Sequence, residues 1–199
     1  ECRLRDFVRA GVGLPEAEQA RLRELNATLA ELQSSFGRRA LAGSNAAAVL
    51  VTDETELAGV SQASKAGARA AAEARGLTGW LLELDSCTPQ EVLAEVADRQ
   101  LRQRVHEASV GRGWQGEYDT RDLAVAIARA RAERATLLGY PSHSEYVAAD
   151  ACAKTSEAVH AMLNRLAPPA VRNAKAEAAD LQSLQSEPLQ AWDWVYRSE

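Results

Sequence analysis

The sequence is poor in most of the residue types that announce a specialised architecture. Aromatic residues make up 5% of the 199 positions, and isoleucine occurs once, at Ile127. Against 40 Ala and 23 Leu there are 14 Val. β-Branched residues are thus too few for an extensive sheet, and a mostly helical fold is expected. Apolar runs extend over only a few residues, which excludes a membrane-crossing helix. The three cysteines, Cys2, Cys87 and Cys152, are far apart and form no CxxC pair. That excludes a disulfide framework and fits unpaired thiols in a reducing, cytoplasmic compartment. No basic stretch followed by an apolar one marks a secretory signal. The chain begins with Glu1 rather than Met, which leaves a removed or missing N-terminal stretch open. The net charge of −5 has the wrong sign for a general nucleic-acid binder. Arg129, Arg131 and Arg134, interleaved with Ala, read as a solvated helix face. Apolar content of 46% with so modest a charge argues against disorder.

What is present is helical periodicity. Leu22, Leu25, Leu29, Leu32 and Phe36 recur at spacings of three and four, which predicts one apolar stripe on a helix from about Pro15 to Leu41. Pro15 suits its first position, and Gly43 and Asn45 are expected to end it. Residues 46–53 and 80–84 are short apolar runs that predict a two-stranded ribbon. Between them the Ala-rich stretch 61–75 predicts a helix closed by Gly76. Thr88-Pro89-Gln90-Glu91 is a capping box opening a helix with Val92, Leu93 and Val96. Further helices follow through Leu101 and Val105, from Asp119 as cap to Leu138, and over 144–149. Thr155 caps another with Val159, Met162, Leu163 and Leu166 on one face, which Pro168-Pro169 is expected to interrupt. The chain closes on Trp192-Asp193-Trp194, read as an extended segment whose two Trp face opposite sides and whose burying partner is missing. No fixed repeat or linker divides the chain. The expectation is a single helical region over residues 1–199, an elongated helical body with a short β-ribbon.

Catalytic and metal-ligating patterns are also lacking. His106-Glu107 begins like the HExxH zinc motif, but the fifth residue is Val110, so the second ligand is absent. His106 reads as an ordinary helical residue. His143 and Cys152 could form a nucleophile pair, but a surface His and a buried thiol is the simpler reading. No GxSxG, Walker A or GxGxxG pattern occurs. From the residues alone, no catalytic residue, no metal ligand and no substrate-binding residue can be named.

The order of certain segments nevertheless resembles a known family. Arg5-Asp6-Phe7-Val8-Arg9-Ala10-Gly11 before the leucine-striped helix is similar to the mid N-terminal region of the M3 family of zinc metallopeptidases, in particular its peptidyl-dipeptidase (Dcp) branch, and the similarity extends to oligopeptidase A and thimet oligopeptidase. Residues 45–51 resemble that family's NAAAxxV strand, residues 98–102 its DRxLR helix, and residues 131–141 its RAERAxLLGFP segment. Ala153-Lys154-Thr155, residues 166–170 and Trp192-Asp193-Trp194 resemble MAKT, LAPPA and WDW. Cys152 replaces the Met before Ala-Lys-Thr, a volume-tolerant change, and Ser156 replaces a common Pro.

The resemblance implies a mostly α fold belonging to the N-terminal half of an M3-type peptidase. It implies a zinc-dependent enzyme, soluble and cytoplasmic, that releases C-terminal dipeptides from oligopeptides. In such enzymes zinc polarises the scissile carbonyl and its water, and the motif Glu acts as base. In the family those groups lie C-terminal to Trp-Asp-Trp, so none is carried onto a position here. The expectation is therefore an internal fragment that forms a helical channel wall, contacts oligopeptides and the remainder of its own chain, and is inactive alone. No nucleic acid or membrane partner is expected. The competing expectation is a catalytically inactive helical binding or interaction module.

Overall fold

The computed structural model describes residues 7–84, 88–114 and 116–198. Cys2, Cys87, Arg5, Asp6 and the side chains of the Thr88–Glu91 box lie outside the described residues. The elements in chain order are α1 (Glu16–Ala46), β1 (Val49–Val51), α2 (Gln62–Ala74), β2 (Trp80–Leu82), α3 (Thr88–Glu95), α4 (Arg99–Val110), α5 (Arg121–Leu137), α6 (His143–Ala148), α7 (Ser156–Ser183) and α8 (Ala191–Ser198). They group into two compact units. Unit 1 comprises Glu1–Arg38 and Thr120–Ala170, and unit 2 comprises Arg39–Asp119 and Val171–Glu199.

Unit 1 is organised by the leucine stripe. Leu22, Leu25 and Leu29 of α1 are buried, and Leu29 joins Ile127 and Ala130 of α5 in one cluster. Leu32 and Phe36 pack against it from farther along α1. On the α5 side this cluster consists of Ile127 and the small Ala130. Across it Arg21 reaches Glu133 at 2.6 Å, but both side chains are about half exposed and the pair adds little. α6 packs against α5, with Ser142 capping its first turn through the N–H of Glu145.

Unit 2 has the thicker core. β1 pairs antiparallel with β2 in the register Val49↔Leu82, Leu50↔Leu81 and Val51↔Trp80. Val51, Leu57, Trp80, Leu82, Val96, Leu101 and Val105 belong to one buried cluster that also takes in α3, with Trp192 and Val195 of α8 packed on it. Entry to β2 depends on Gly79, whose φ is +124° and whose absent Cβ would lie 2.3 Å from the Val51 carbonyl oxygen. Only glycine combines that dihedral with that approach.

Four expectations about element ends are corrected. α1 runs through Gly43 and Asn45 to Ala46. A Cβ at Gly43 would stand 3.1 Å from the Cβ of Tyr118, so that glycine serves close packing rather than a helix stop. α5 is preceded by Thr120 at the cap position, and not by Asp119. α7 continues through Pro168 and Pro169. The residues four positions before them, Asn164 and Arg165, are exposed, where water can serve the carbonyls that lose their donors. Finally, Trp192-Asp193-Trp194 is helical, within α8, and Trp192 is not left bare but packs on the unit 2 core.

Candidate functional site

The most densely connected polar cluster lies in unit 2, where three charged residues meet. It starts locally. Asp98 caps α4 by accepting the N–H of Leu101 at 2.7 Å. That cap sets the start of the helix, and the three-residue spacing then brings Arg99 and Arg102 onto one face. Asp193, third residue of α8, reaches back to accept the N–H of Gln190 at 3.1 Å, as the acidic half of a capping box does.

The two helix starts are joined through Asp193. Arg99 donates from Nε to Oδ1 at 3.0 Å and from Nη2 to Oδ2 at 2.8 Å. Arg102 donates from Nη2 to Oδ1 at 3.0 Å. Asp193 is 0% exposed and Arg102 2% exposed, so both charges are fully withdrawn from water. Arg102 also donates from Nη1 to the carbonyls of Val96 at 2.8 Å and Ala97 at 3.0 Å, and its guanidinium lies 4.1 Å from the centre of the Tyr196 ring. Arg99 reaches outward to Glu187 at 2.6 Å and to the Pro188 carbonyl at 2.9 Å. Burial by itself would raise the Asp193 pKa. The hydrogen bonds from Arg99, Arg102 and Gln190, with the charge of Arg99, outweigh it and hold the carboxyl well below the usual carboxylate range. In return the bonds to Asp193 raise the Arg99 pKa.

Chemically this cluster is a clamp. Asp193 stays ionised with both oxygens engaged, so it has no proton to give and no lone pair to spare for a base role. The sequence offered a hint in a carboxylate flanked by two Trp. Its partners lie more than ninety residues earlier, which no local pattern reveals.

The histidines and the cysteine singled out in the sequence are not brought together. His106 packs its ring 5.9 Å from that of Trp192, and the neighbouring Glu107 accepts from Gln103 at 2.7 Å. Cys152 is exposed and free rather than buried. Among the described residues no hydrogen bond joins it to His143, whose ring stacks on Tyr146 at 6.1 Å. Burial first, and then the charges of Arg131 and Arg134, lower the His143 pKa. Of the three arginines expected on a solvated face, Arg129 is exposed, whereas Arg131 and Arg134 are half-buried. The residues do not fit a zinc ion: among those described, no three His, Cys, Asp or Glu side chains come together. A cavity of about 210 Å³ between α2, β2 and α3 is walled by Leu57, Val60, Ala68, Leu82 and Val92. Lys65 and Glu95 also border it, but they are engaged, Lys65 with Glu54 at 3.6 Å and Glu95 with the Ser61 N–H at 3.0 Å. No helix of the described residues is long and apolar enough to cross a membrane.

Comparison with known proteins bears on the cluster directly. Residues 92–199, which include Arg99, Arg102 and Asp193, match Peptidase family M3. Dipeptidyl carboxypeptidase of Escherichia coli (strain K12) is 36% identical over 200 residues, covering 97% of this chain and 29% of that protein. Oligopeptidase A of the same strain is 32% identical over 206 residues, covering 98% of this chain and 30% of the relative. A probable cytosolic oligopeptidase A of Arabidopsis thaliana is 26% identical over 213 residues. The chain thus spans a little under a third of the length of these relatives.

Proposed function

Because the chain belongs to peptidase family M3, we propose that it is a scaffold portion of a zinc metallopeptidase that removes C-terminal dipeptides from oligopeptides in the cytoplasm. This portion supplies helical wall to the peptide channel and contributes no catalytic or zinc-binding residue. The observation that carries the reading is the continuous similarity to dipeptidyl carboxypeptidase over 97% of the chain. A second observation supports the wall role. The face of α7 bearing Met162, Leu163 and Leu166 is about half exposed at each position. An apolar stripe of that length on a helix is ordinarily covered, and the remainder of the same polypeptide is the partner proposed for it.

What these residues do in such an enzyme is hold geometry. The Asp193 clamp fixes the direction in which α8 leaves the core, and the ribbon and α2 brace the other side of the same core. The test is hydrolysis by the full-length protein of a blocked tetrapeptide with a free C-terminus. Release of the terminal dipeptide, lost on chelation and restored by zinc, is expected. A full-length protein that binds zinc and cleaves no peptide would sink the reading. So would the 199-residue chain alone binding zinc stoichiometrically with chelator-sensitive cleavage.

A further inference from the structure

A cavity of about 370 Å³ lies within unit 2, where the ends of α1 and α4 meet the loop that follows α4. Most of its wall carries little side chain. Gly43, Ala46 and Ala47 on the α1 side, and Ala108, Gly111 and Gly113 on the α4 side, supply no more than a Cβ each. Gly113 takes a φ of +73°, and a Cβ at Gly111 would stand 3.0 Å from the Glu107 carbonyl oxygen. Arg39 donates from Nη1 to the Asp119 carbonyl at 2.7 Å, which ties the far end of the loop back to α1. A volume of this size is at the small end of those that hold small molecules.

The longer side chains bordering the cavity are Glu107, Arg112 and Tyr118. The Tyr118 hydroxyl has Glu117 as its partner. Glu107 and Arg112 carry opposite charges but do not pair. Among the described residues no carboxylate oxygen lies within 4.0 Å of an Arg112 nitrogen, and no basic nitrogen within 4.0 Å of a Glu107 carboxylate oxygen. Arg112 is held on neutral oxygens instead. Its Nε donates to the Ser109 carbonyl at 2.8 Å, its Nη1 to the Leu84 carbonyl, and its Nη2 to the Ser109 hydroxyl at a long 3.3 Å. These bonds fix the half-buried guanidinium and leave one N–H on each Nη unused among the described residues. Glu107 accepts from Gln103 Nε2 at 2.7 Å through Oε1. One cavity thus presents a fixed cation with donors to spare and a carboxylate with no cation of its own. Charge-assisted bonds are about twice as strong as neutral ones, so a ligand that supplies both missing charges gains most there.

We propose that this cavity binds a small zwitterion, a free amino acid or a dipeptide. Its carboxylate accepts from the remaining Arg112 N–H groups, its ammonium donates to Glu107, and its body lies along the glycine and alanine wall. A ligand with only one of the two charges leaves the other group of the site unmet and binds more weakly. The inference does not depend on peptide cleavage, since none of these residues is assigned a catalytic part.

Hydrogen exchange of the full-length protein, with and without ligand at millimolar concentration, tests the proposal and locates the binding. The probes are alanine, alanylalanine, the N-acetyl form of that dipeptide, which lacks the ammonium, and its amide, which lacks the carboxylate. Protection of residues 43–47 and 111–114 by a zwitterion is expected, with both blocked forms weaker by about tenfold or more. Protection by alanine identifies free amino acids as ligands, and protection by alanylalanine alone identifies dipeptides. Arg112→Gln and Glu107→Gln should each weaken binding about tenfold or more, equivalent to about 1.4 kcal/mol. If circular dichroism shows that Arg112→Gln, which gives up the Leu84 contact, fails to fold, Glu107→Gln carries the test. Absence of protection at these residues by either zwitterion overturns the proposal, as does equal protection by either blocked form. So does protection that a folded variant leaves unchanged.

Discussion

Unit 1 and unit 2 are built from similar amounts of helix but hold themselves together differently. Unit 1 closes on a single seam, with Leu29 against Ile127 and Ala130, and its arginines sit on aromatic rings at the edge of that seam. Unit 2 surrounds a two-stranded ribbon with helices and buries Val51, Leu57, Val96, Leu101 and Val105 completely. The same unit accepts a fully buried carboxylate, and matches it with two arginines and a backbone N–H. A deep core encloses this carboxylate by supplying donors to both of its oxygens, because the desolvation cost must be met inside the protein.

The largest effect that would sharpen this contrast is at the clamp. Asp193→Asn leaves the shape but strands Arg102 in the core, and should destabilise unit 2 by about 3–5 kcal/mol. Adding Arg102→Met should recover part of that loss, since the stranded charge is then gone. Hydrogen exchange of the amides in α4 and α8, compared across the three proteins, reads this out. If Asp193→Asn leaves α4 and α8 protected as before, the clamp does not hold unit 2.

Core truncation comes next. Leu101→Ala in unit 2 should cost about 3–5 kcal/mol, since Leu101 is fully buried among large side chains, and Leu29→Ala in unit 1 about 2–3 kcal/mol, since its buried cluster is smaller and can settle into the space. Equal losses at the two sites would erase the distinction between core and seam.

Acid should separate the units by pH. Asp193 has a lowered pKa in the folded state, so unfolded chains take up its proton first. Its contribution is whole above about pH 4 and declines as pH falls further. His143 also has a lowered folded pKa, and because linkage counts only bound protons the direction is the same, shifted to higher pH. The unfolded chain protonates near pH 6.5 while the folded imidazole resists, so unit 1 loses stability already below about that pH. Exchange protection measured in pH steps should fade in α6 before it fades in α8, and His143→Gln should remove the earlier loss. Simultaneous fading would contradict the assignment.

The smallest effect is expected on the surface of unit 1. Arg21→Ala breaks the pair with Glu133 and should cost less than about 1 kcal/mol, because both groups are half exposed. A shift in denaturation midpoint beyond that range would mean the pair contributes more to the seam than its exposure allows.

Much of the fold was legible in the sequence because helices and short ribbons are specified locally. The leucine stripe, the Ala-rich helix with Gly76 beyond its end, and the runs that became β1 and β2 were all readable from spacing and turn chemistry. Departures came where a local breaker is overruled by packing or solvent. Gly43 continues a helix because Tyr118 needs its missing Cβ, and Pro168-Pro169 do so where exposure makes the lost hydrogen bonds cheap.

By itself, then, the sequence determined where the helices begin and run, the small size of the sheet, and the family, because each rests on short-range pattern or on ordered segments. Only tertiary structure decided which charges are buried and which groups they meet. Arg99 and Asp193 look like ordinary surface residues until ninety-four positions of chain fold between them. Arg134 looks like part of a solvated face until the Tyr146 ring comes to lie beside it. Burial is set by what arrives from elsewhere in the chain, and the strength of a charge's interactions follows from that burial.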